Sequence, residues 1–227
     1  MTFPVTRWTL IQQAIQTPSA QADVALSDLC QMYADPVFAF IRRRVDTVEL
    51  AEDLMQEFFA DLLNGKLLGR ADPEVGRFRS FLLHALRGFL ADRHDYRSAQ
   101  KRGGQVIHVS LAATQIEPRH DVTAEQQFEL RWIRTLLARA IEQLGEEYQQ
   151  SDRAPLFETL KGQLDGNRPQ SAEVAEQLGM SDAAVRVALH RMRKRLGEVI
   201  REQIAETVPG QTDVDDELQN MKRILEQ

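Results

Sequence analysis

Residues 171–200 read SAEVAEQLGMSDAAVRVALHRMRKRLGEVI, and two helices with a sharp turn between them account for the whole stretch. Counting from Ser171, a helix-turn-helix needs a small residue at the fifth position, where the helices touch, and glycine near the ninth for the left-handed turn. Apolar residues near positions four, eight, ten and fifteen lock the crossing. Ala175, Gly179, Val174, Leu178, Met180 and Val185 meet these requirements. Ser181 is placed to cap the second helix, and Asp182 follows in its first turn, where the macrodipole favours negative charge.

That second helix has two faces. Val185, Leu189, Met192, Leu196 and Val199 recur at three and four and must face a core, leaving Arg186, His190, Arg191, Lys194 and Arg195 on the other sides. Six cations against Asp182 and Glu198 give residues 181–201 a net charge of about +4, in a chain whose formal charge is -6. A helix that must meet several phosphates needs this concentration of charge. Arg186, Val187, His190 and Arg191, on the solvent side of its first half, stand where a recognition helix touches base edges in the major groove.

Outward from this motif the same periodicity continues. Leu26, Leu29, Cys30 and Tyr33 form one apolar series, Leu50, Leu54, Phe58 and Leu62 a second, and Phe78, Phe81, Leu82, Ala85 and Phe89 a third. The fold class is therefore all-α. The clearest helix start is DTVE, where Asp46 and Glu49 are spaced as a capping box, and the matching stop is Asn64-Gly65. Helical period is lost over residues 98–122, which carry Gly103-Gly104 and Pro118. VIHVSL inside that stretch alternates apolar and polar, but extended linker is the preferred reading. The expected organisation is two small helical domains, 1–97 and 123–205, joined by a flexible linker over 98–122. A short amphipathic helix lies in an acidic extension, 206–227, where Val214, Leu218, Met221 and Leu225 share a face.

Composition narrows the function classes. The 227 residues are 43% hydrophobic and 27% charged, an ordinary globular balance that allows either one large core or two small ones. No apolar run reaches the roughly 18 residues expected of a membrane span, and MTFPVTRWTLIQQAI lacks the order of a signal peptide, so a cytoplasmic location without a membrane partner is expected. The single cysteine, Cys30, excludes an intramolecular disulfide and sits in an apolar pattern that suits core packing. His84, His94, His108, His120 and His190 share no ligand or acid-base spacing, apart from His94 beside Asp95. No metal, cofactor or catalytic residue is expected, and the protein is not read as an enzyme.

AEDLMQEFFADLL, followed after a loop by GRFRSFLLHALRGFLADRHDYR, resembles regions 2.2 to 2.4 of bacterial RNA polymerase sigma factors of the extracytoplasmic-function (ECF) group, within the sigma-70 family. GMSDAAVRVALHRMRKRL is similar to the end of region 4 in the same family. The resemblance implies a region 2 bundle and a region 4 helix-turn-helix, in a transcription initiation factor that directs core RNA polymerase to specific promoters. It implies that Glu52, Asp53, Gln56 and Glu57 bind the β′ clamp helices, with the β flap as a second polymerase contact. Arg77, Arg87, Arg93, Arg97, Lys101 and Arg102 would hold the minus-ten element. Ser181, Arg186, Val187, His190, Arg191 and Lys194 would hold the minus-thirty-five element.

The chain departs from the family pattern at Leu50, Phe81, Gly88, Val187 and Ala188, and its segment EEYQQSDRAPLFETLKGQLDGNRPQ is stretched. Its tail, with six acids against Lys222 and Arg223 over 206–227, could dock on either domain and restrain DNA binding, or pack with a solvated acidic side. An anti-sigma factor or another regulator is left open by the sequence. A stand-alone helix-turn-helix regulator of duplex DNA is the alternative reading.

Overall fold

Thr47 shows how local chemistry starts a helix in this chain. Its backbone is extended (φ -118°, ψ 156°) and its Oγ1 accepts the Leu50 N–H at 3.2 Å, which opens a helix at Val48. The expected box around Asp46 and Glu49 is therefore displaced by one residue. Thr47 is the cap, and Glu49 falls in the first turn, where it meets the positive end of the macrodipole instead of reaching back. The helix ends at Leu63, with Asn64 as cap and Gly65 at φ 76°, as the Asn-Gly pair predicts. A reciprocal box does occur at Thr123: its Oγ1 accepts the Gln126 N–H at 3.1 Å, and Gln126 Oε1 accepts the Thr123 N–H at 2.7 Å.

The computed structural model describes residues 20–65, 67–68, 77–102, 123–164, 171–208 and 211–226. They are helical, in the order α1 Ala20–Arg42, α2 Val48–Leu63, α3 Phe78–Arg102, α4 Ala124–Gln150, α5 Ala154–Leu160 with a 3-10 turn Lys161–Gln163, α6 Ser171–Leu178, α7 Asp182–Ala205 and α8 Gln211–Leu225. No strand occurs among the described residues. VIHVSL and most of the loop before α3 lie outside them. α3 runs on through residues 98–102, the first five of the expected linker, because SAQKR contains no helix breaker before Gly103-Gly104.

The described chain divides into two units, Met1–Thr135 with Ala205–Gln227, and Leu136–Ile204. The division falls within α4, not between residues 98 and 122, and it returns the C-terminal segment to the first unit. Both differences have one cause. Phe128, Trp132 and Ile133 on the first half of α4, with Val208, Val214 and Met221 near and on α8, are buried residues of the first unit.

The first unit packs aromatic rings from several helices. Tyr33 on α1 lies 5.4 Å from Phe78 on α3 and 6.3 Å from Phe128 on α4, and Phe58 on α2 lies 5.5 Å from Phe89 on α3. Phe78 and Phe89 are buried and Phe81 is half-buried, so this series belongs to the core. Val24–Arg42 is long and apolar enough to cross a membrane by length and composition, which corrects the expectation from sequence. Here Leu29, Met32, Tyr33, Val37, Phe40 and Ile41 are buried in the unit's interior, as in the core helix of a soluble protein. Burial pushes the half-buried Cys30 thiol up to about 11, so it stays protonated at neutral pH and packs as a small hydrophobe.

The second unit is built around Leu144, Phe157, Leu160, Val174, Ala175, Val185, Leu189 and Met192. Asp152 takes φ 57° in the turn from α4 to α5, where its N–H donates to Gln149 and the following Arg153 N–H donates to Tyr148. Aspartate is tolerated there because its short polar side chain costs less in the left-handed region than most.

Two glycines test the packing with opposite signs. Gly88 lies in the exposed interior of α3, where an added Cβ meets nothing within 4 Å, so Gly88→Ala is expected to stabilise by about 0.5–1 kcal/mol. At Gly145 the Cβ would lie 2.9 Å from the ring of Phe157, and Gly145→Ala is expected to destabilise by about 1–3 kcal/mol despite its better helix propensity. Urea unfolding of the two variants checks the signs.

Candidate functional site

Three groups of charged side chains bear on function. On α2, Ala51, Leu54, Phe58 and Leu62 are buried, which turns Glu52, Asp53, Gln56 and Glu57 outward as one exposed, mostly acidic ridge. Glu57 is also an internal partner: Arg93 of α3 donates from Nε to its Oε2 at 3.0 Å, reaches Asp61 at 3.7 Å and lies over the Phe89 ring. Two residues that the sequence assigned to different surfaces are thus in contact.

Arg77, Arg87 and Arg93, the expected minus-ten cations whose side chains are described, are engaged by carboxylates. Arg77, just before α3, donates from Nη1 to Glu217 Oε2 at 2.6 Å, and Arg87 pairs with Glu125 at 3.1 Å. Arg97, Lys101 and Arg102 lie on the last turns of α3, and their side chains fall outside the described residues. Sequence reasoning missed the partners. Arg44, at the end of α1, donates to Glu125 at 2.7 Å and lies 3.6 Å from the centroid of Phe40. Arg79, only 4% exposed, pairs with Glu129 and with Glu217 at 2.9 Å, and its guanidinium stacks on Trp132.

A usable signal existed for these buried charges. Arg79 shares the stripe of Leu82 and Leu86 on α3, and Glu217 stands three residues after Val214 and four before Met221 on α8. A charge inside an apolar stripe predicts a buried partner of opposite sign.

On the second unit, α6 closes with the Met180 N–H donating to Ala175 at 2.9 Å and the Gly179 N–H to Glu176 at 3.2 Å, with Gly179 at φ 61°. Only a residue indifferent to positive φ fits comfortably there. Ser181 Oγ then accepts the Ala184 N–H at 3.3 Å and starts α7. Val185, Leu189, Met192 and Val199 are buried, while Ser181, Arg186, Val187, His190, Arg191 and Lys194 are all exposed. Among the described residues no ion pair engages Arg186 or Arg191, and Lys194 stays 74% exposed with Glu198 at 3.9 Å.

Two cations of the same helix are turned inward instead. Arg193 donates to the Gln163 carbonyl at 2.6 Å. Arg195 grips Glu147 of α4 through Nε at 2.9 Å and Nη2 at 2.7 Å, and also meets Glu198 and Glu202. These bonds hold the Arg195 guanidinium charged far beyond ordinary pH, and the bond from Arg195 holds the Glu147 carboxyl below its ordinary value despite some loss of hydration. Arg195 is therefore a brace within the unit rather than one of the outward cations.

Residues 29–102 match the family model for Sigma-70 region 2. The match takes in most of α1 and all of α2 and α3, about a third of the chain, and supports a sigma-70 family member, the class of protein that acts in transcription initiation. No curated protein and no solved structure matches the chain.

Glu217 carries a stability prediction. Removing its charge leaves Arg79 buried with Glu129 alone, so Glu217→Leu is expected to cost about 3 kcal/mol or more. Arg79→Met combined with Glu217→Leu should recover much of the loss, as a double-mutant cycle in urea would measure.

A pH prediction follows from Glu147. Its folded-state value is lowered, so the Arg195 pair stabilises fully above the unfolded value of 4.5 and is lost as pH falls through the lower folded value. The gap in melting temperature between wild type and Glu147→Gln should be largest near neutral pH and close in acid.

Proposed function

We propose that this chain is a promoter-specificity subunit of RNA polymerase of the ECF group. The observation that carries the reading is the region 2 match over residues 29–102, within which α2 presents Glu52, Asp53, Gln56 and Glu57 along one exposed ridge. An acidic ridge with a rigid core behind it suits a basic partner helix, the role that the resemblance gives the polymerase β′ clamp helices. Arg77 and the α3 cations Arg87, Arg93, Arg97, Lys101 and Arg102 then hold the backbone of an opened minus-ten strand.

In this reading α6 and α7 are the helix-turn-helix of region 4 and bind the minus-thirty-five element as duplex. Two things support it: the glycine turn, and the separation of cations into Arg193 and Arg195, bound inward, and Arg186, Arg191 and Lys194, left outward. Arg186, His190 and Arg191 face base edges, Lys194 meets phosphate, and Ser181 and Val187 sit at the margin of the contact. The β flap is the second polymerase contact. The protein carries out no chemistry of its own, needs no cofactor, and works in the cytoplasm, where the polymerase supplies catalysis.

Binding of the full chain to core RNA polymerase tests the reading. The wild type is expected to bind, and Glu52→Arg combined with Asp53→Arg is expected to lose at least tenfold in affinity, since each reversal turns an attraction into a repulsion of several kcal/mol at most. A wild type that leaves core polymerase unbound would overturn it.

A further inference from the structure

Four arginines of the matched region are paired with acids from outside it. Arg44 and Arg87 share Glu125, Arg77 pairs with Glu217, and Arg79 pairs with both Glu129 and Glu217. Glu125 and Glu129 lie on the first half of α4 and Glu217 on α8, so two separate segments converge on cations of one 74-residue region, 29–102. The pairing is directional. One described pair runs the other way, from Arg131 on α4 to Asp35 on α1, at 3.2 Å.

The pairs also differ in burial, which separates an anchor from a cover. Arg79 and Glu217 are almost wholly buried, and with Trp132 they fix α8 in place. Arg87 and Glu125 are half-exposed, at 52% and 32%, and Arg44 is 31% exposed. Glu125 puts one carboxylate oxygen, Oε1, between two guanidiniums, the position that an oxygen of a nucleic-acid phosphate would take. Loss of hydration would raise its carboxyl, but the first-turn backbone N–H and the two arginines outweigh that and hold it below the ordinary carboxylate value.

We infer that Glu125 forms an acidic clasp that occupies a phosphate position between Arg44 and Arg87 of region 2 and must be displaced when a single-stranded nucleic-acid backbone binds there, while Glu217 stays in place as the anchor. The inference rests on the sigma reading, since it takes Arg87 as a strand contact. It adds that the chain competes with its own ligand. The free protein holds a strand weakly, and whatever draws α4 away from Arg44 and Arg87 raises strand affinity.

The test is fluorescence anisotropy of a labelled single-stranded DNA oligonucleotide titrated with the full chain over a salt series. Glu125→Gln, on a half-exposed residue, leaves the buried Arg79 cluster intact. It should bind the strand roughly two- to fivefold more tightly than wild type at low salt, the range expected for releasing exposed ion pairs. Its dependence of log affinity on log salt should steepen by about 0.7 for each arginine freed. Asp216→Asn, which removes an equal charge from an exposed site on α8, should change affinity much less and leave the slope alone. Arg87→Gln in the Glu125→Gln background should abolish part of the gain.

Equal effects of Glu125→Gln and Asp216→Asn would overturn the clasp, because general charge would then explain both. Failure of every variant to bind the strand would overturn it as well. Capture of core polymerase by the same preparations reports on the sigma reading separately. A chain that captures polymerase but shows no difference between the two variants loses the clasp alone.

Discussion

The first unit depends on one carboxylate. Glu217 is 1% exposed and has two guanidiniums against it, Arg77 at 2.6 Å and Arg79 at 2.9 Å. Removing such charges from water costs several kcal/mol each, and only close, multiple hydrogen bonds offset it. Arg79 is accordingly engaged from three directions, by Glu217, Glu129 and the face of Trp132, with only its Nε left without a hydrogen-bond partner among the described residues. An apolar set of the same shape could be as stable, so the network is best understood by what it specifies. α8 can sit in one register only, with Glu217 opposite the start of α3, and α4 must bring Glu129 and Trp132 to the same place.

Most of the fold was legible because its signals were local. The helix-turn-helix spacing, the Asn-Gly stop and the three-and-four apolar series each lie within a few residues of their effect, and helices appear where they predict. The cap at the start of α2 was missed by one residue because Asp46 and Thr47 are both good caps, and local chemistry alone ranks them poorly. The division of the chain was less legible. Residues 98–122 look like a boundary, but contacts of the first unit join α4 to α1 across 81 residues and α8 to α3 across 140, and no local signal encodes such a meeting.

The candidate site was legible in its outward residues and not in its inward ones. Periodicity correctly put Glu52, Asp53, Gln56 and Glu57 on the surface of α2, and Arg186, His190, Arg191 and Lys194 on the surface of α7. It could not say which cations were already taken. Arg193 and Arg195 look as available as Arg191 in the string RMRKRL, yet one serves the Gln163 carbonyl and the other three carboxylates. Net charge along a helix therefore overstates what the helix can offer a phosphate backbone. The difference is set by acids on other helices, which only the tertiary structure reveals.

The first unit is discontinuous, and this bears on the order in which it can form. The Arg77–Glu217 bond closes a loop of 140 residues, a separation at which chain closure is slow and contributes nothing until the ends meet. During synthesis α1, α2 and α3 leave the ribosome long before Glu217 exists. For that interval Arg79 has Glu129 as its one described carboxylate partner, and burying it is correspondingly more costly. Until Glu217 is made, the arginines that α8 covers in the finished protein lack that partner, so the final packing of residues 29–102 depends on the last helix of the chain.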